Sequence, residues 1–160
     1  MKKLYVLVML LSFAVISSTT YGQEKKSKKQ RKVEKQQVQQ DKIKQIVEAQ
    51  NYVFVPDKIS PYYDVRVTKE EVKAHLPYTG RVYSPPTDPS EGGIKFSTQD
   101  FEYKIENTQK GGWDIFIKTN DLQKTYDLTL KITSSGSASL FVKDPTRTSI
   151  NFHGRIEEIK

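Results

Sequence analysis

Apolar and polar residues alternate strictly along the second half of this chain. Phe101, Tyr103 and Ile105 fall on one side and Glu102, Lys104 and Glu106 on the other. The same period of two returns in Trp113, Ile115, Ile117, then in Tyr126, Leu128, Leu130, Ile132, then in Ala138, Leu140, Val142, and last in Ile150, Phe152, Gly154, Ile156. Period two is the signature of half-buried strands. The breaks carry Lys110–Gly111–Gly112, Asn120–Asp121, Ser134–Ser135–Gly136 and Asp144–Pro145–Thr146, which are turn chemistry. Upstream, Tyr52–Val55 reads as a strand ended by Pro56–Asp57, and Tyr62–Val67 as a second. Thr68–Lys69–Glu70–Glu71 has the form of a capping box, which predicts a short helix over Lys69–His75, stopped before Pro77. Tyr78–Ser84 and Gly93–Ser97 read as further strands.

Eight or nine short strands with one apolar face predict an all-β fold, an antiparallel meander that closes as a β-barrel, with a β-sandwich as the competing solution. Closure is preferred because it removes exposed sheet edges. Trp113, Leu128, Leu130, Leu140 and Phe152 are the expected core. Phe101, Tyr103, Trp113, Tyr126 and Phe152 share the inward series, and rings of that size fill a small barrel, so no deep apolar ligand cavity is expected.

The chain before residue 51 is of another kind. Residues 23–50 hold nine basic and four acidic residues and no aromatic, whereas residues 51–160 carry fifteen of each sign and fourteen aromatics. Ile43, Ile46 and Val47 show the i, i+3, i+4 spacing of a docked helical turn, so a Lys/Gln-rich N-terminal helix is expected over roughly residues 38–50 behind a solvated arm. The charge excess therefore belongs to a tether. A rival reading is weak attraction of residues 23–50 to an anionic envelope surface. A neutral domain without aromatics interleaved among the lysines argues against a nucleic-acid partner.

Residues 1–22 read as a secretory signal peptide. Lys2 and Lys3 precede a thirteen-residue apolar run, Leu4–Ile16, and Thr20 and Gly22 occupy the small-residue places before a cleavage at Gln23. Thirteen residues of helix fall short of a hydrocarbon core of about 30 Å. The expected location is the periplasm or the exterior. With no Cys the chain is not a lipoprotein, and disulfides, thiolate metal sites and Cys nucleophiles are excluded.

Candidate chemistry is sparse. No catalytic or cofactor motif occurs, so neither a cofactor nor a catalytic residue is assigned, and a metal cluster is not expected with only His75 and His153. The candidate binding rim is Tyr78, Arg81 and Tyr83, beside the proline- and glycine-rich stretch 84–93. An arginine between tyrosines suits an anion or a sugar, although the commoner role is an arginine packed over aromatic rings. His153, Arg155 and Glu157 line the polar face of the last strand, a row that usually serves charge pairing.

Several strings together resemble a known family: NYVFVP at Asn51–Pro56, LPYTGRVYS at Leu76–Ser84 leading into GGIKF at Gly92–Phe96, GSASL at Gly136–Leu140, and FHGRIEE at Phe152–Glu158. They resemble the domain-of-unknown-function family 4251 of exported proteins from Gram-negative, Bacteroidetes-type bacteria. The resemblance implies a lipocalin-like barrel and an envelope or secreted location, and it implies no activity. The expected function is thus a non-enzymatic binding or interaction domain of the envelope. The alternatives are a hydrolase-type enzyme with a rim site near Arg81 and His153, or a structural subunit of an envelope complex.

Overall fold

The computed structural model describes residues 27–59, 62–83, 93–120 and 125–159. The expected signal peptide and most of the 84–93 stretch lie outside the described residues. The chain divides between Lys32 and Val33 into two compact units. Of the first, only Ser27–Lys32 are described, as the opening turns of helix α1 (Lys28–Glu48). Ser27 and Gln30 cap that helix reciprocally, each backbone N–H reaching the other's side-chain oxygen at 2.8 and 3.2 Å. This capping box starts the helix ten residues before the sequence-based estimate.

In the second unit nine antiparallel strands follow: β1 (Tyr52–Pro56), β2 (Asp64–Val67), β3 (Val72–Leu76), β4 (Ile94–Thr98), β5 (Phe101–Asn107), β6 (Trp113–Thr119), β7 (Asp127–Ile132), β8 (Ser137–Lys143) and β9 (Ile150–Glu158). The sheet order is β4-β3-β2-β1-β9-β8-β7-β6-β5. The outermost strands, β4 and β5, run in the same direction and are joined by Gln99–Asp100 alone. Two residues cannot make a parallel crossover, which needs a dozen or more. β5 therefore continues β4 as one bent strand that pairs first with β3 and then with β6. The meander becomes a nearly closed barrel of eight staves.

The bend is pinned by Thr98, whose buried hydroxyl lies 3.0 Å from the Asp100 carbonyl and 3.1 Å from its N–H. Asn120 N–H then donates to the Asp100 carbonyl at 3.0 Å, beginning the pairing with β6. Two ring contacts span the closure. Phe96 on β4 stacks on Tyr126 at 4.5 Å, and the hydroxyls of Tyr52 on β1 and Tyr103 on β5 meet at 3.3 Å.

The inward positions form the core: Tyr52, Phe54, Leu76, Ile94, Ile115, Leu128 and Leu140 are essentially inaccessible. All five expected core residues are buried; of the five inward rings, Phe101 and Tyr103 on β5 are only half-buried. Ile43, Ile46 and Val47 of α1 join the core as expected. Ile43 lies over the β7–β8 turn, where a Cβ on Gly136 would sit 2.7 Å from its Cδ1; the turn also holds Gly136 at φ 92°. Glycine is required there on both counts.

Two expected elements are corrected. Lys69–His75 is not a helix: Thr68 and Glu71 close a turn, with the Thr68 hydroxyl accepting the Glu71 N–H at 2.9 Å, and β3 follows. The hydroxyl that would cap a helix serves equally to close a tight turn, and the two-residue period of Val72, Ala74 and Leu76 decides for the strand. Tyr78–Ser84 is not a strand either. Among its described residues only Val82 makes an isolated bridge, to Arg147.

Leu130 is 2% exposed at the centre of β7. Leu130→Ala should cost about 2–5 kcal/mol in urea unfolding; a near-neutral result would place β7 with its other face inward.

Candidate functional site

The turn between β8 and β9 organises the described rim. Asp144 Oδ1 accepts the Thr146 N–H at 2.8 Å and its hydroxyl at 2.7 Å, the local bond that makes Asp a turn residue. This aims Arg147 back along the turn, with Nε 3.5 Å from Asp144 Oδ2 and Nη1 donating to the Gly93 carbonyl at 2.8 Å. Both side chains are almost fully buried, and the guanidinium carbon lies 5.0 Å from the Tyr78 ring centre.

Tyr78 is thereby fixed. Its hydroxyl lies 2.7 Å from the Arg81 carbonyl and 2.9 Å from both the carbonyl and the hydroxyl of Thr148. Arg81 N–H donates to Thr148 Oγ1 at 2.9 Å, and Tyr83 N–H to the Thr146 carbonyl at 2.8 Å. Arg81 and Tyr83 are exposed, while Tyr78 is half-buried. The three candidate residues thus share one loop laid along the β8–β9 turn. The arginine packed on an aromatic ring is Arg147, which the sequence reading passed over. Its only local signal was the Asp144–Pro145–Thr146 turn preceding it, since the bond to Gly93 is a long-range product of the fold.

His153 is exposed on β9, with Nε2 3.5 Å from Asn151 Nδ2. Arg155 pairs with Glu157 at 2.7 Å and with Asp57 at 3.7 Å, the charge-pairing role expected of the row. No hydrogen bond or ion pair joins His153 to Arg81 among the described residues. His75 is on β3, not at a helix end, and its Nδ1 donates to the Tyr62 carbonyl at 3.1 Å.

Two concave surfaces flank these features. One, of about 530 Å³, lies between α1 and the ends of β1 and β9, around the Lys42–Glu158 pair. The other, of about 330 Å³, crosses the outer face of β2, β3 and β4 among Asp64, Arg66, Lys73, His75, Lys95 and Ser97. Beside it, Lys73 and then Ser97 bond to Glu71 and hold its carboxyl below the usual range.

A meander curled on itself, filled by its own side chains and overlaid by one helix, defines an up-and-down β-barrel domain. The chain matches the domain-of-unknown-function family DUF4251 over residues 34–156 and belongs to that family. A DUF4251 family protein from Bacteroides eggerthii has the same fold, with a TM-score of 0.58 at 13% identity, covering 76% of this chain and 88% of that one. No curated protein matches.

Arg147→Ala would remove the cation beside the buried Asp144 carboxylate, whose Oδ1 keeps its bonds from Thr146, and should cost about 3–5 kcal/mol in urea unfolding. An effect below about 1 kcal/mol would show that the pair is dispensable to the turn.

Burial raises the Tyr52 phenol well above its ordinary pKa, reinforced by Tyr103, and burial raises that of Tyr103. The unfolded phenols ionise near pH 10, so their contribution is complete below that pH and is lost as pH rises through and beyond it. Tyr52→Phe should cost about 0.5–1.5 kcal/mol at neutral pH and flatten the loss of stability above about pH 10. Parallel alkaline profiles for the two proteins would remove this pair as the cause.

Proposed function

We propose that this chain is an exported binding or interaction domain of the bacterial cell envelope that recognises its target on the outer surface and rim of the barrel, not inside it. The observation that carries this reading is the occupation of the interior: Tyr52, Phe54, Leu76, Ile94, Ile115, Leu128 and Leu140 project there with less than 2% exposure. A barrel of this size is either filled by side chains or holds one small ligand, and large inward residues favour filling. The export half of the reading rests on the charged, apolar and small-residue order of residues 1–22. The lysines of α1 are exposed, which suits a tether.

Two measurements test it. Fractionation of cells expressing the chain, with N-terminal sequencing, should recover a protein starting at Gln23 outside the cytoplasm; an uncleaved cytoplasmic product would refute export. Titration with an environment-sensitive fatty-acid probe should show no saturable uptake. Micromolar uptake abolished by Ala138→Trp, at a buried position on β8, would establish a transport-type barrel instead.

A further inference from the structure

The outer groove of β2–β4 is built against the usual rule for sheet surfaces. Register sets Arg66 directly opposite Lys73, and places His75 between Asp64 and Lys95. Like charges facing across strands are destabilising. Across β5–β8 the row Glu102, Lys118, Asp127 and Lys143 alternates in sign, although Glu106 there faces Asp114, with Lys104 2.7 Å from Glu106 and Lys131 opposite Asp114. In the groove, compensation comes along each strand. Arg66 Nε donates to Asp64 Oδ2 at 2.9 Å, and Lys73 Nζ to Glu71 Oε2 at 2.8 Å. Arg66, Lys73 and Lys95 border the groove together with Asp64 over a largely apolar floor, and Lys95 makes no ion pair among the described residues. His75 is held by its bond to Tyr62 and by the Tyr63 ring, 5.0 Å away at a tilt.

We infer that this groove binds a phosphomonoester borne on a small organic body. A monocarboxylate would only exchange one single charge for another at Arg66 or Lys73. A phosphate group carries about −1.5 to −2 charge and three acceptor oxygens, so it can engage Arg66, Lys73 and Lys95 together. Arginine and lysine are the usual partners of such a group. At about 330 Å³ the groove reaches the lower end of small-molecule sites and leaves room beyond the phosphate for its carrier. The inference rests on the outer-surface reading above and gives it a site and a ligand class. The phosphate can come from a soluble ester or from a lipid headgroup.

The test uses the purified full chain. Glycerol phosphate and inorganic phosphate are titrated by calorimetry, and vesicles of phosphatidylcholine with and without phosphatidic acid by co-sedimentation. Each arm is repeated with the R66Q/K73Q/K95Q variant, because the exposed lysines of α1 also attract anionic lipid. The expected result is saturable binding of glycerol phosphate, tighter than inorganic phosphate and weakened at least about tenfold in the variant, with a thermal midpoint no lower than the parent's. Vesicle binding that alone depends on the three residues would assign the phosphate to a lipid headgroup. If the variant matches the parent in every arm, the site is refuted while the outer-surface reading stands. Saturable uptake of the fatty-acid probe would instead remove the reading beneath it.

Discussion

A sheet with one apolar face must hide that face and must also do something with its two edges. This chain meets both demands with one segment, Ile94–Asn107. Its first half is one edge of the sheet and its second half the other, so the edges are joined covalently at Gln99–Asp100. The rest of the architecture follows from that continuity. Strands β1 and β9, far apart in sequence, must pair in the middle of the order, and they do so over Tyr52–Pro56 and Gly154–Glu158. They run close enough that a Cβ on Gly154 would collide with the Val55 carbonyl.

Closure also explains where buried polar groups are tolerated. Thr98 sits at the bend, and Thr119 at the end of β6, where its hydroxyl accepts the Tyr126 N–H at 2.9 Å. Asp144 and Arg147 occupy the β8–β9 turn, and the Tyr52–Tyr103 contact crosses the interior. Each stands where a ladder begins, ends or faces a distant stave, so that a backbone or side-chain partner is supplied by geometry. The centres of the strands carry only apolar inward residues. Polarity is confined to places where the fold itself satisfies it.

The same logic separates what the sequence could reveal from what it could not. Strands β5–β9 were legible because sequential pairing leaves a two-residue period bounded by short turns, and the barrel follows from their number. Thr68–Glu71 misled because one hydroxyl–amide bond serves a helix start and a tight turn alike. Tyr78–Ser84 misled because its residues favour strands, yet Val82 pairs only with the β8–β9 turn. Tyr78, Arg81 and Tyr83 were legible as neighbours in sequence, but on a strand, whereas the fold sets them in a loop. Arg147 was not legible, since its partners Tyr78 and Gly93 lie more than fifty residues upstream. Nor was the outer groove: Lys95 meets His75 only through the β3–β4 register, across a long connection whose length sets no pairing.

These two blind spots differ in kind. Arg147 is invisible in sequence because it is structural, its charge spent on Asp144, Gly93 and the Tyr78 ring. The groove is invisible because outward positions on a closed barrel contribute little to the core, and the hydrophobic pattern places no demand on them. Their charges are therefore set by local pairing or by something outside the chain. Across β5–β8 the row Glu102, Lys118, Asp127 and Lys143 alternates in sign, and where Glu106 faces Asp114 each carboxylate also has a lysine, Lys104 at 2.7 Å and Lys131 opposite. Across β2–β4 local pairing leaves Arg66 against Lys73, a cost that side chains bonded along their own strands reduce without removing. A dianion seated between the strands would turn that repulsion into attraction. An outer face with this register is thus easier to account for as half of a complex than as a finished surface.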